Sequence, residues 1–175
     1  MIEWCRSSEP LRSSVYRSPL GLMRVLYADD AVARADFSEG PPATPRIGVE
    51  DAGMLPNWVY DLFEAAFSGS ILPSWRAIDW GYSPMERAML SRASEVPFGT
   101  TMSYGNLAAW SGFVGRARAA GRAMGRSSVA YLIPTHRVIR ADGTPSDAQR
   151  DPLNAALRRY EGIELSSRRA MMGTT

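Results

Sequence analysis

Lysine is absent from this 175-residue chain, and cysteine and histidine occur once each, as Cys5 and His136. A single thiol and a single imidazole exclude an intrachain disulfide and a Cys/His zinc cluster, so neither a metal nor a cofactor is expected. Cys5, close to the terminus, reads as incidental. No run of about 18 or more apolar residues exists to cross a membrane. From Met1 to Pro10 the chain carries Glu3, Arg6 and Glu9 where a signal peptide needs an apolar stretch. The expectation is a soluble, cytoplasmic monomer with no membrane partner. Charge of one sign is not in excess either, the formal net charge being +2. Overall balance therefore identifies no partner, and the distribution of charge has to decide. All twenty basic residues are arginine, for which coding bias is a simpler account than a preference for bidentate phosphate contacts.

What is present is a globular composition, 45% hydrophobic and 22% charged, in a length that suits one ordinary domain or two small ones. Between Ser13 and Ser38 short apolar runs alternate with turn residues such as Pro19-Leu20-Gly21 and Asp29-Asp30, which predicts a small antiparallel sheet. Glu39 to Met54, with Gly40-Pro41-Pro42, Pro45 and Gly53, reads as a loop. Trp58, Val59, Leu62, Phe63 and Phe67 then have the spacing of a helix over that sheet, from Pro56 to Phe67. Ser68 to Tyr82 shows no clear period and reads as the connection between two domains, 1–81 and 82–175.

The second half is punctuated more clearly. Ser83-Pro84-Met85-Glu86 combines an N-cap serine, a first-turn proline and a glutamate three residues after the serine, a capping box that opens a helix. Ser103 can cap a short helix from Tyr104 to Trp110, and a third helix runs from about Arg116 to Met124. Two short helices joined by a glycine-containing turn suggest a helix-turn-helix. The fold class predicted is α+β, with a small N-terminal antiparallel-sheet domain and a mainly helical C-terminal domain. The tail from about Arg168 is expected to be disordered.

Within and around the third helix lie Arg116, Arg118, Arg122 and Arg126, with no acidic residue between them. A basic helix face is often no more than a solvated surface. Here Ala117, Ala119, Ala120, Gly121 and Ala123 keep the helix slim, and a thin basic second helix after a helical turn is what a DNA groove accommodates.

Val96-Pro97-Phe98-Gly99-Thr100-Thr101-Met102-Ser103-Tyr104-Gly105-Asn106-Leu107-Ala108 resembles the segment "PYG-T-x-SYGELA" of the O6-alkylguanine-DNA alkyltransferases. Tyr131-Leu132-Ile133-Pro134-Thr135-His136-Arg137-Val138-Ile139 is similar to their "IxxPCHRVI" signature, and Arg118 to Met124 to their "RAVGxAM". Tyr16 to Gly21 is like the "SPIG" hairpin, and Leu157 to Gly162 like the closing "LLxxEG". The resemblance thus spans nearly the whole chain. It implies a helix-turn-helix in the minor groove, a tyrosine (Tyr104) that helps rotate a phosphate, and an arginine (Arg118) that fills the gap left by a flipped nucleotide. A planar guanidinium suits such a hole in the base stack.

The chain departs from the family at the acceptor. Thr135 stands where the family's PCHR has the cysteine that takes the alkyl group, with His136 and Glu161 as remnants of the network that activates it. A threonine alcohol is a far weaker acid than a thiol, and attack on an alkyl carbon favours soft sulfur. His136 then reads as a buried structural side chain, although with Glu161 it could serve Thr135 as a base. The glycine-rich "YSGG" loop has no counterpart in Ser146 to Asp151, and Ser127-Ser128 replaces the family's Asn-Pro, which predicts a weakened hinge. The resemblance is to the cysteine-less alkyltransferase-like branch, which binds O6-alkylguanine and flags it for excision repair. The expected function is non-enzymatic recognition of O6-alkylguanine in double-stranded DNA by base flipping, with a lesion pocket of Met124, Pro134, Thr135, His136, Arg137 and Val138. DNA contacts are expected from Tyr104, Arg116, Arg118, Arg122 and Arg126, and excision-repair proteins as partners. Two alternatives remain: a regulatory DNA-binding module that no longer flips bases, and residual transfer through Thr135.

Overall fold

The computed structural model describes residues 1–37, 49–51, 53–146 and 152–165. Strand β1 (Ile2–Cys5) precedes a meander of β2 (Leu11–Ser18), β3 (Gly21–Tyr27) and β4 (Ala31–Phe37). Period-2 patterning sends Tyr16, Met23, Val25 and Tyr27 to one buried face, and a register shift between Leu26 and Tyr27 lets Val32 and Ala35, three residues apart on β4, both join it. Registers such as Tyr16 opposite Met23 and Val25 opposite Ala35 keep them there. The first hairpin closes at Gly21, whose φ of +125° is a conformation that side chains rarely adopt. β5 (Val49–Asp51) runs beside β2, so part of the stretch from Glu39 to Met54 is strand rather than loop. Helix α1 (Asn57–Phe67) lays Val59, Leu62, Phe63, Ala66 and Phe67 on the sheet, matching the helical spacing of the sequence.

The antiparallel meander is only the centre of a larger sheet, ordered β1-β6-β4-β3-β2-β5, in which β6 (Trp75–Ile78) pairs parallel with both β1 and β4. This corrects the reading of Ser68 to Tyr82 as pure connection. β6 is four residues long and buries Trp75, Ala77 and Ile78, on both faces of the sheet, so no alternation survives to be read.

After the sheet, α2 (Pro84–Ala93) begins with the expected capping box: Ser83 Oγ accepts from the Glu86 N–H and the Glu86 carboxylate accepts from the Ser83 N–H. β7 (Met102–Ser103) leads into α3 (Tyr104–Trp110), whose Ser103 cap accepts from the Asn106 N–H at 3.1 Å. α4 (Ala117–Arg126) runs two residues past the expected end at Met124, because the chain leaves helical geometry only at Ser127. A 3-10 turn (Thr135–Arg137) then leads into β8 (Val138–Ile139), which pairs with β7 and ties the α3 cap to the segment after Thr135. Helix α5 (Pro152–Tyr160) closes the described fold, which is α+β.

One set of buried apolar side chains extends from Ile2 through the sheet and α1 to Leu107, Met124, Leu132 and Leu157. A hydrogen-bonded seam accompanies it. The Ala35 N–H donates to Ser128 O and the Ala130 N–H to Ala35 O, both at 2.9 Å. Tyr82 Oη donates to Arg126 O and Ser128 Oγ, and the Trp80 indole donates to Ala33 O. Ser128, where a weakened hinge is expected, is thus bonded to β4. The replaced loop from Asp147 to Asp151 and the tail from Arg168 lie outside the described residues. Among the described residues no helix is long and apolar enough to cross a membrane.

Candidate nucleic-acid interface

Helix α4 turns Ala120, Ala123 and Met124 into the core and leaves Arg116, Arg118, Arg122 and Arg126 exposed. Arg116, Arg118 and Arg122 line one groove together with Met85 and Gly115, and no acidic side chain is among its described lining residues. Arg126 does something else: its Nη1 lies 2.7 Å from Glu86 Oε1 and its guanidinium sits over the Tyr82 ring at 5.2 Å. It clasps α4 to α2, so the structure separates it from the other three.

On the other side of Arg118 lies an open cavity of about 800 Å³ between α3, α4, the 3-10 turn and α5. Tyr104 forms part of its wall, and its hydroxyl donates to Ser146 Oγ at 3.1 Å. Of the six side chains expected in the pocket, only Met124 and Thr135 line this cavity. Pro134, His136, Arg137 and Val138 are buried behind it. The 3-10 turn explains the division, because at three residues per turn successive side chains point about 120° apart. Thr135 faces the cavity, His136 the interior, and Arg137 the far side, where its guanidinium lies over Phe98. Ser146, the first residue of the segment that stands in place of the family's glycine-rich loop, lines the cavity, and Arg140 and Asn154 line it without having been expected. Nothing in the sequence marks Arg140 and Asn154, since they come from a turn and a helix that only the tertiary fold brings beside Thr135.

Behind Thr135 is a buried ionic network. Glu161 Oε1 lies 2.8 Å from His136 Nε2, and the carboxylate accepts from Arg137 Nε and Nη2 at 2.8 Å each. The Gly99 N–H donates to Glu161 Oε2, and Arg137 Nη1 donates to Val96 O. Burial alone would push the Glu161 carboxyl up, but hydrogen bonds from His136 and Arg137 outweigh it and hold it at about 2. Burial lowers the His136 pKa, leaving a neutral ring. Because an ionised carboxylate only accepts, that ring must carry its proton on Nε2, which leaves Nδ1 as its basic nitrogen. Cys5 lies in β1, where its thiol donates to Ala77 O, and it does not line the cavity. Among the described residues no three His, Cys, Asp or Glu side chains gather as a metal site.

Residues 84–163 match the family model described as 6-O-methylguanine DNA methyltransferase, DNA binding domain. A methylated-DNA–protein-cysteine methyltransferase of Mus musculus is 33% identical over 161 residues, covering 82% of this chain and 74% of that protein. The enzyme of that name from Mycolicibacterium paratuberculosis is 29% identical over 126 residues, covering 72% of this chain and 76% of that protein. The crystal structure of Mycobacterium tuberculosis O6-methylguanine methyltransferase shares the fold, with a TM-score of 0.68 at 23% identity over 86% of this chain and 91% of that one. Extended similarity to the mouse protein, together with the match of the DNA-binding segment, shows that this chain belongs to the 6-O-methylguanine DNA methyltransferase family.

Proposed function

We propose that the protein is a non-enzymatic sensor of O6-alkylguanine in duplex DNA. The observation that carries this reading is the identity of the side chain at the cavity: Thr135 lines it, and the chain's single cysteine lies in β1. A neutral threonine hydroxyl beside a neutral imidazole is a poor nucleophile toward an alkyl carbon. The groups that would engage DNA are retained. Arg116, Arg118 and Arg122 offer a cationic groove to phosphates, and α4 is slim enough to approach a minor groove. In this reading Arg118, between groove and cavity, fills the gap of the flipped nucleotide, and Tyr104 acts on the adjoining phosphate. The bound lesion is then handed to excision repair, and the protein acts as a monomer in the cytoplasm. His136, Glu161 and Arg137 support the cavity from behind.

A gel-shift titration at one fixed salt concentration tests this, comparing a duplex with a single O6-methylguanine to its unmodified twin, with intact-protein mass spectrometry afterwards. Tighter binding of the modified duplex with unchanged protein mass supports a sensor. Equal binding points to a regulatory DNA-binding module that does not flip bases, and a mass gain of one methyl group points to transfer through Thr135.

A further inference from the structure

We infer that Ser146 is a positioning residue for Tyr104: its hydroxyl holds the phenol in place and, by reversing the direction of the bond between them, frees the phenol's hydrogen for a DNA phosphate. This rests on the sensor reading above, in which Tyr104 acts on the phosphate beside the flipped nucleotide. Tyr104 is anchored at its root. Ser103, the residue before it, caps α3 by accepting from the Asn106 N–H, and β7 pairs Met102 with Val138 and Ser103 with Ile139. The ring is half-buried and packs against the main core. It passes α4 at Gly121, where an added Cβ would stand 3.9 Å from Tyr104 Cε1. Gly121 is three residues from Arg118 and neighbours it on the helix surface. Tyr104, Arg118, Gly121 and Ser146 all line the same cavity.

The far end of the ring is held by a single contact among the described residues, the phenol donating to Ser146 Oγ at 3.1 Å. Ser146 follows a fixed turn. Two residues before it, buried Thr144 accepts at its carbonyl from the Arg140 N–H, and its own N–H and hydroxyl both donate to Asp142 Oδ1. Each of the two hydroxyls carries one hydrogen and can also accept. A phosphate diester oxygen only accepts, so a phenol that engages it must donate there instead. Ser146 can then donate to Tyr104 Oη in return. The exchange needs rotation of two O–H bonds and no movement of a heavier atom, and no proton is transferred. At 3.1 Å the present bond is long for two hydroxyls, whereas a bond to a charged acceptor is shorter and about twice as strong. The exchange therefore runs toward the phosphate. Hydrogen bonds in a chain polarise one another, so a donating serine also makes the phenol a better donor.

Dissociation constants are measured at one salt concentration for a duplex with a single O6-methylguanine and for its unmodified twin, and their ratio is the lesion preference. Ser146→Ala is expected to lower that preference about fivefold, the worth of an ordinary hydrogen bond, and Ser146→Thr, which keeps the hydroxyl, is expected to retain it. In a Tyr104→Phe background no phenol remains to be positioned, so Ser146→Ala should cause no further loss, an outcome that a packing role would not give. An undiminished preference in Ser146→Ala overturns the inference. A rise does so too, since it would make Ser146 a restraint that competes with the phosphate, and so does an equal further loss in the Tyr104→Phe background, which assigns packing. Should Ser146→Ala fail to fold, Ser146→Val against Ser146→Thr isolates the hydroxyl at nearly constant shape, and equal preference in those two overturns the inference. If the wild-type protein binds both duplexes alike, the sensor reading itself fails. If it prefers the lesion and Ser146→Ala does so equally, only the present inference does.

Discussion

Phe67 at the end of α1 and Tyr131, four residues before Thr135, stack face to face with ring centroids 3.8 Å apart and planes within 8°. The opposite face of the column continues to His136, whose ring is parallel to Tyr131 at 5.5 Å. Tyr131 adopts φ +70°, a left-handed conformation that costs a bulky residue about 1–2 kcal/mol. Burying an aromatic side chain returns about 1.5–3 kcal/mol, so the stack offsets the strain and holds the backbone approach to Thr135 in place. The sheet side of the molecule thereby sets the orientation of the segment that lines the cavity.

Phe67→Ala should therefore cost about 3–5 kcal/mol of stability, as for large aromatic truncations in a core. Phe67→Leu, which keeps most of the volume, should cost clearly less. Urea denaturation monitored by circular dichroism measures both. A loss below about 1 kcal/mol in the alanine variant would show that the column contributes little.

Glu161→Gln removes the charge that Arg137 and His136 share. Its side chain is fully buried, so Arg137 would be left as an uncompensated cation in the interior. Breaking one member of a buried ion pair typically costs roughly 3–5 kcal/mol, and a loss of that size is expected in the unfolding free energy. A near-neutral substitution would mean that Arg137 finds another partner or escapes to solvent.

The same network sets a pH dependence with a definite sign. Glu161 titrates at about 2 in the folded chain against an ordinary 4.5, so the unfolded chain takes up its proton first as pH falls. Stability from this carboxylate is complete above about pH 4.5 and is lost progressively toward about pH 2. The His136 pKa is lowered from 6.5 chiefly by burial, so again the unfolded chain protonates first and the folded state loses ground below about pH 6.5. Denaturant midpoints should be level from about pH 8 to 7, decline below 6.5, and decline more steeply below 4.5. His136→Gln should remove the first decline and leave the second. A wild-type profile that stays level from about pH 7 to 5 would contradict a buried neutral His136.

Legibility in the sequence followed the range of the interaction. Elements set by neighbours were readable: the Ser83 capping box, the Ser103 cap and the spacing of α1 all depend on residues within a turn or two. β6 was not, because a short strand buried on both faces has no period. Site residues divided in the same way. Thr135 and Met124 could be placed at the cavity through the family motif, but the 3-10 turn rotates His136 and Arg137 away from it. Arg140 and Asn154 reach the cavity only through tertiary packing. The clasp from Arg126 to Glu86 spans forty residues and was equally invisible in a stripe of arginines.

Arg116 at the N-cap of α4 and Arg118 and Arg122 within it should differ from the clasped Arg126 in their effect on DNA. Arg122→Ala is expected to weaken damaged and undamaged duplex alike and to reduce the salt dependence of binding by about one phosphate contact. Arg126→Ala should leave that salt dependence unchanged, because its charge is directed to Glu86 and Tyr82. Under the proposed function Arg118→Ala should weaken damaged duplex more than undamaged, because Arg118 is the group proposed to fill the gap. An equal loss on both duplexes with Arg118→Ala would remove the flipping step from the proposed function.

Thr135→Cys joins the two halves of the site in one experiment. The neutral His136 ring hydrogen-bonds Glu161 through Nε2–H, leaving Nδ1 as its basic nitrogen. A thiol placed at position 135 is a far stronger acid than the threonine alcohol, and sulfur is the softer nucleophile toward an alkyl carbon. The variant is therefore expected to take up the methyl group from an O6-methylguanine duplex, read as a mass gain of one methyl on the intact protein, while the wild-type chain gains none. Transfer by the variant would locate the chemical loss at one side chain and leave the rest of the pocket competent. Tight binding of the lesion by the variant without transfer would place a second defect in the surroundings of Thr135, with the wall carrying Arg140 and Ser146 as the first region to exchange.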